Sequence, residues 1–156
     1  MTRLRGRALG GKRLRARIPQ GRYQTSTLIS GLRLEGPCAP WLFEGPMDGE
    51  MFLAWVTQGL APALRSGEVV ILDNLATHKI RGVREALEAA GARLLYLPPY
   101  SPDFNPIEPL WSKIKQILRS HAPRTDQQLL LAAKTAFQSI STADYNGFFF
   151  SARYAT

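Results

Sequence analysis

Apolar and polar positions alternate along residues 13–18, where Arg13, Arg15 and Arg17 are interleaved with Leu14, Ala16 and Ile18. A period of two predicts a strand, here with one arginine face. Pro19 and Gly21 mark a turn. Residues 23–34, rich in β-branched and aromatic types, predict a second strand that forms a hairpin with the first. Pro37, Pro40 and Pro46 then punctuate a loop with room for a short strand at 41–43. Residues 49–61 predict a helix, because Phe52, Val56 and Leu60 recur every four positions and Pro62 and Gly67 follow.

Residues 69–72 form an uninterrupted apolar run ending at Asp73, the pattern of a strand covered on both faces. A helix is expected over 79–90, with Ile80, Val83 and Leu87 on one side and Gly91 as its stop. Residues 93–97 predict another short strand, ended by Pro98 and Pro99. Over 106–119, Ile107, Leu110, Trp111, Ile114 and Leu118 fall on one helical face, so Trp111 belongs to a core. A last helix is expected over 125–139, and the aromatic run 148–150 is expected to fold back onto the body. The order reads as an α/β layered domain with a mixed sheet. Neither a repeat nor a linker divides residues 1–156, so one domain is expected.

Charge changes this picture at one end. The chain has 20 Lys and Arg against 12 Asp and Glu, a net charge of +8. Residues 1–22 hold Arg3, Arg5, Arg7, Lys12, Arg13, Arg15, Arg17 and Arg22, and no acid. The rest of the chain is therefore balanced, and the whole excess lies in one arginine-rich segment. Such a segment is a footprint for a polyanion, most simply DNA, or else a solvated tail. Cys38 is the only cysteine, which excludes an internal disulfide and suits a reduced, cytoplasmic setting. The sequence contains no apolar run long enough to span a membrane.

Two acids carry the candidate chemistry. Asp73 stands at the carboxyl end of the apolar strand, the edge where sites gather in open α/β sheets. Glu108 stands in the first turn of the helix after the next strand, so one crossover should return it to the same edge. Two carboxylates on a rigid frame suit a hard divalent cation. The plainer alternatives are local: Asn105, Pro106 and Glu108 make a good helix start, and Asp73 with Asn74 opens a turn. His78 either joins the site or is structural, and Asn74 and Asn105 either orient the acids or make local bonds. Tyr100 and Ser101 sit in a Pro-rich loop, where a packed aromatic is expected. Lys113, Lys115 and Arg119 either line a DNA path or form a solvated helix face.

The strings ILDNLATHK (71–79) and LPPYSPDFNPIEPLWSKIK (97–115) resemble the DDE superfamily endonucleases of bacterial insertion sequences, relatives of the mariner transposases. The 34 residues between Asp73 and Glu108 are a spacing typical of that group, and the likeness runs through nearly all of the chain. The resemblance implies an RNase H-like fold, a mixed sheet flanked by helices. It also implies a triad of two Asp and one Glu holding Mg²⁺, with Mn²⁺ as a substitute. Asp73 matches the second aspartate and Glu108 the glutamate. Arg3, Arg5, Arg7, Lys12, Arg13, Arg15, Arg17, Lys113 and Lys115 are the expected DNA contacts. Such enzymes nick DNA at transposon ends and join the freed 3′-hydroxyl to target DNA. The departure lies at the start: the first aspartate and its strand should precede the arginine-rich segment, yet no acid precedes Glu35. The reading is therefore of a domain lacking its first strand, weak or inactive alone. Its expected partners are DNA and either an upstream reading-frame product or a second copy.

Overall fold

The computed structural model describes residues 25–154 and Gly10. The strand at 13–18 and the basic positions from Arg3 to Arg22 lie outside the described residues. The strand expected over 23–34 is present as β1, Ser26–Arg33, but its antiparallel partner is β2, Gly36–Glu44. The Pro-punctuated loop is therefore largely a strand. Among the described residues β2 is an edge, and an edge tolerates Pro37 and Pro40 because their missing N–H groups need not serve a second neighbour. A bulge between Ile29 and Gly31 interrupts the register. Buried Ser30 sits within it and donates to the Cys38 carbonyl at 3.0 Å.

The helix expected over 49–61 is α1, Gly49–Trp55, running through a π-helical turn, Val56–Leu60, into α2, Ala61–Ala63. Asp48 caps it by accepting from the Met51 amide at 2.8 Å. In the π turn, Gly59 lies against Trp41; a Cβ there would stand 2.9 Å from the indole nitrogen. β3, Val69–Leu72, and β4, Arg93–Tyr96, pair in parallel. A 3₁₀ turn, Ala76–Lys79, and α3, Val83–Ala89, connect them. α3 begins later than periodicity suggests because Gly82 takes a left-handed φ of 99°, and the Glu85 carboxylate accepts from the Gly82 amide.

Helix α4 covers Ile107–His121, α5 covers Asp126–Gln138 behind a Thr125 cap, and α6 covers Thr142–Ser151. α6 adds a helix where only an aromatic run folding back was expected. Its start is a reciprocal cap between Ser141 and Asp144. Phe148 does fold back, while Phe150 is exposed.

Two cores flank the strand layer. The first joins Phe52, Trp55, Val56 and Leu60 to Val83, Leu87, Leu94 and Cys38. The second joins Leu110, Ile114 and Leu118 of α4 to alanines of α5 and to Tyr145 of α6. β1 contributes to both, with Ile29 against the first and Leu28 and Leu32 against the second. β3 contributes to one only. Val70 and Leu72 pack inward, but Val69 and Ile71 are 42% and 38% exposed. The two-faced cover expected of residues 69–72 is thus a one-faced cover: the α4–α6 core packs on β1 and stops short of β3. Among the described residues the strands form two separate two-stranded sheets, β1–β2 antiparallel and β3–β4 parallel, in place of the single mixed sheet expected.

Candidate functional site

Asp73 follows β3 directly. Its Oδ1 accepts from the Leu75 amide at 3.2 Å, the turn-opening bond expected of an Asp. Nδ1 of His78 lies 2.6 Å from the same Oδ1, but off the axis of a formed hydrogen bond. The His78 ring stacks on Phe52, with centroids 4.2 Å apart and planes at 28°, and its carbonyl accepts from the Tyr96 hydroxyl at 3.0 Å. His78 is therefore held by the first core and buttresses Asp73 from the side.

Glu108 reaches the site from α4. The Asn105 side chain accepts from the Ile107 amide at 3.3 Å, and the Glu108 amide donates to the Asn105 carbonyl at 3.2 Å. Asn105 thus starts the helix, as its sequence position suggests. Glu108 stays exposed in the first turn, where a negative charge suits the helix dipole. The chain before it is tied down when the Tyr154 hydroxyl donates to the Phe104 carbonyl at 3.1 Å.

Asp73, Asn105 and Glu108 line two hollows, of about 440 and 530 Å³. The 440 Å³ hollow lies between β1 and β3 and is also lined by His78. The 530 Å³ hollow is rimmed by Asn74 and by the 97–102 loop. Oδ1 of Asn74 is buried without a hydrogen-bond partner among the described residues. Two carboxylates and an orphaned amide oxygen around one hollow are hard donors of the kind Mg²⁺ or Mn²⁺ takes. The fit is partial, since the described residues contain no cluster of three or more acids, histidines or cysteines.

The expected packed aromatic in the loop is not found. Tyr100 is fully exposed, with a left-handed φ of 56°. Trp111 packs against the second core, edge-on to Phe137, as expected. On α4, Lys113 is engaged: its Nζ lies 2.6 Å from Asp144 Oδ1. Together with bonds from Ser141, that ammonium holds the Asp144 carboxyl down at about 2. Lys115 and Arg119 face solvent. Cys38 is buried, and burial pushes its thiol up.

One feature lay beyond sequence reasoning. Arg33 at the end of β1 clasps Glu68, just before β3, through two bonds of 2.8 and 2.7 Å. A third bond runs from Arg33 to the Ala63 carbonyl. The guanidinium holds Glu68 below the usual carboxylate range. No local pattern announces a pair 35 positions apart.

A family model described as DDE superfamily endonuclease matches residues 1–130. Among solved structures, the Mos1 strand transfer complex superposes with a TM-score of 0.74 at 17% identity, covering 97% of this chain and 46% of that one. The Mos1 transposase paired-end complex with left transposon end gives 0.75 at 17%, covering 97% and 47%. The Mos1 transposase catalytic domain with raltegravir and Mn gives 0.67 at 18%, covering 83% and 74%. The chain thus spans about half the length of the transposase chains in the two complexes. These likenesses establish the fold, which is RNase H-like. A search of the curated proteins finds no match.

Proposed function

The chain belongs to the DDE superfamily endonucleases, and from that premise we propose that it is part of a transposase that cleaves and joins DNA. Asp73 and Glu108 are its carboxylate ligands for Mg²⁺ or Mn²⁺. The observation that carries this reading is their convergence on the same two hollows despite 34 intervening residues. Neither the Asp73 turn nor the helix start at Asn105 requires the other acid to be near.

In this reading the end of β3 and the first turn of α4 fix the two carboxylates. His78 buttresses Asp73, Asn105 sets where α4 begins, and Asn74 offers a further oxygen. A divalent cation bound there neutralises charge on phosphate oxygens and makes a water or 3′-hydroxyl a stronger nucleophile. The basic positions between Arg3 and Arg17, with Lys115, supply phosphate contacts. Lys113 enters only if DNA displaces Asp144. Mn and Mg both appear in structures of the Mos1 catalytic domain, which is consistent with the choice of ion.

The test is nicking of transposon-end DNA in Mg²⁺. This chain alone should cleave weakly or not at all. Supplying a segment that carries a further strand and aspartate should raise cleavage, and Asp73→Asn or Glu108→Gln should abolish it. Cleavage that survives both substitutions would overturn the assignment.

A second reading is favoured by the absence of a third acid at the site among the described residues, and by the concentration of charge in residues 1–22. It makes the chain a DNA-binding or assembly module without catalysis. DNA binding should then fall steeply with salt. It should survive Asp73→Asn with Glu108→Gln and disappear when Arg13, Arg15 and Arg17 are neutralised together.

A further inference from the structure

The segment that delivers Glu108 is weakly held by its own backbone. Pro98, Pro99, Pro102 and Pro106 have no N–H to donate. The backbone bonds that remain close on the segment itself, from Phe104 to Ser101, Asn105 to Pro102 and Glu108 to Asn105. The last backbone bond to the body before it runs from Leu97 to Leu72 of β3. Among the described residues, one hydrogen bond then joins residues 98–106 to an element other than α4: the Tyr154 hydroxyl donates to the Phe104 carbonyl at 3.1 Å. Arg153 reinforces it, with its guanidinium 5.5 Å from the centre of the Phe104 ring.

Both residues belong to the turn that ends α6. The Tyr154 amide donates to the Phe149 carbonyl and the Arg153 amide to the Phe150 carbonyl, each at 3.0 Å, and the Tyr154 ring meets Phe149 edge-on. This is the Schellman ending of a helix, in which the residue in left-handed backbone is usually glycine. Here that residue is Arg153, at a φ of 66°. Glycine would end the helix with less strain, but it would put nothing over Phe104. The other end of α6 is pinned as well, by Lys113 Nζ against Asp144. The two ties therefore meet the chain on either side of Glu108, one just before α4 and one a turn further along it.

We propose that α6 is a brace for Glu108 and that Tyr154 is a positioning residue, fixing through Phe104 where the first turn of α4 sets that carboxylate. Phe149 and Tyr154 line the same hollow as Asp73 and Glu108, so the brace stands beside the site that it serves. The brace follows from the bonds; its service to a metal ion rests on the reading given above.

The experiment follows amide exchange at residues 104–108 and Mn²⁺ binding by electron paramagnetic resonance, both in the full chain. Tyr154→Phe keeps the ring and removes the bond. It should speed exchange at 104–108 by about tenfold and weaken Mn²⁺ by about tenfold, with exchange at Ile114 and Leu118 as in the native chain. Arg153→Gly separates bracing from helix ending. A role in ending α6 alone predicts slower or unchanged exchange at 104–108, and that result overturns the part given to Arg153. The brace predicts exchange faster by about two- to fivefold, the worth of an exposed cation–π contact. Phe150→Ala, at an exposed position of the same helix, should change neither reading. In a Glu108→Gln background, Tyr154→Phe should weaken Mn²⁺ no further, because both changes act on one ligand. Unchanged exchange at 104–108 in Tyr154→Phe overturns the brace, and so does an equal effect from Phe150→Ala. A loss of Mn²⁺ that persists in the Glu108→Gln background overturns it too, by placing the action of Tyr154 elsewhere. So does faster exchange with Mn²⁺ binding unchanged, if Glu108→Gln does weaken the ion. If Glu108→Gln leaves Mn²⁺ binding unchanged, the metal reading fails, and faster exchange in Tyr154→Phe still supports the brace.

Discussion

The hairpin β1–β2 and the parallel pair β3–β4 are built from similar apolar strings, yet they stand in different surroundings. β1 is packed from both sides, with Ile29 on the α1–α3 core and Leu28 and Leu32 on the α4–α6 core. β3 is packed from one side and leaves Val69 and Ile71 half in water. Both candidate acids stand beside the less covered pair. The difference teaches that the helical cores stabilise the frame, and the strand edge that carries chemistry takes little of that stability. Sites need partners, and a fully satisfied edge has none to offer.

The largest expected effect probes the covered side. Leu110 is fully buried beneath the face of β1, so Leu110→Ala should cost about 2–5 kcal/mol in denaturant unfolding. A loss below about 1 kcal/mol would erase the contrast, because exposed positions lose as little. Next comes the packing behind the hairpin. Gly59→Ala puts a Cβ within 2.9 Å of the Trp41 indole, and should cost about 1–3 kcal/mol with a matching shift in Trp fluorescence.

The clasp between the halves comes third. Arg33→Ala should cost about 1 kcal/mol near neutral pH, because both groups are partly exposed and screened. Glu68 is held below its unfolded value, so its contribution is complete above the ordinary carboxylate range. It fades as pH falls through the lower folded value. Melts of the native chain and of Arg33→Ala should therefore converge in acid; a constant gap would assign the effect to the Ala63 bond instead. The smallest effect belongs to β3. Ile71→Thr should change unfolding by no more than about 0.5 kcal/mol.

The helices were legible in the chain because their apolar spacing matches a physical period: Leu110, Ile114 and Leu118 are all buried, as their interval of four requires. Asp73 and Glu108 were legible for another reason. A strand end and a helix start are local signals, and a single crossover brings both to one edge. β2 escaped because its prolines read as a loop, and only its place at an edge makes them harmless. α6 escaped because Asn146 and Gly147 interrupt any apolar stripe, leaving the Ser141 cap as its main signal. The Arg33–Glu68 clasp escaped because it joins residues far apart in the chain. The two hollows escaped because their walls come from both halves of the molecule.

Tyr100 has an energetic consequence of its own. A bulky residue in left-handed backbone costs about 1–2 kcal/mol, and its ring, wholly in water, recovers none of that through packing. Glycine would hold the same turn with less strain, offset in part by the freer unfolded chain it brings. The fold thus keeps a small reserve of conformational tension on the rim of the acid-lined hollow, where any partner that covers the phenol would help to discharge it.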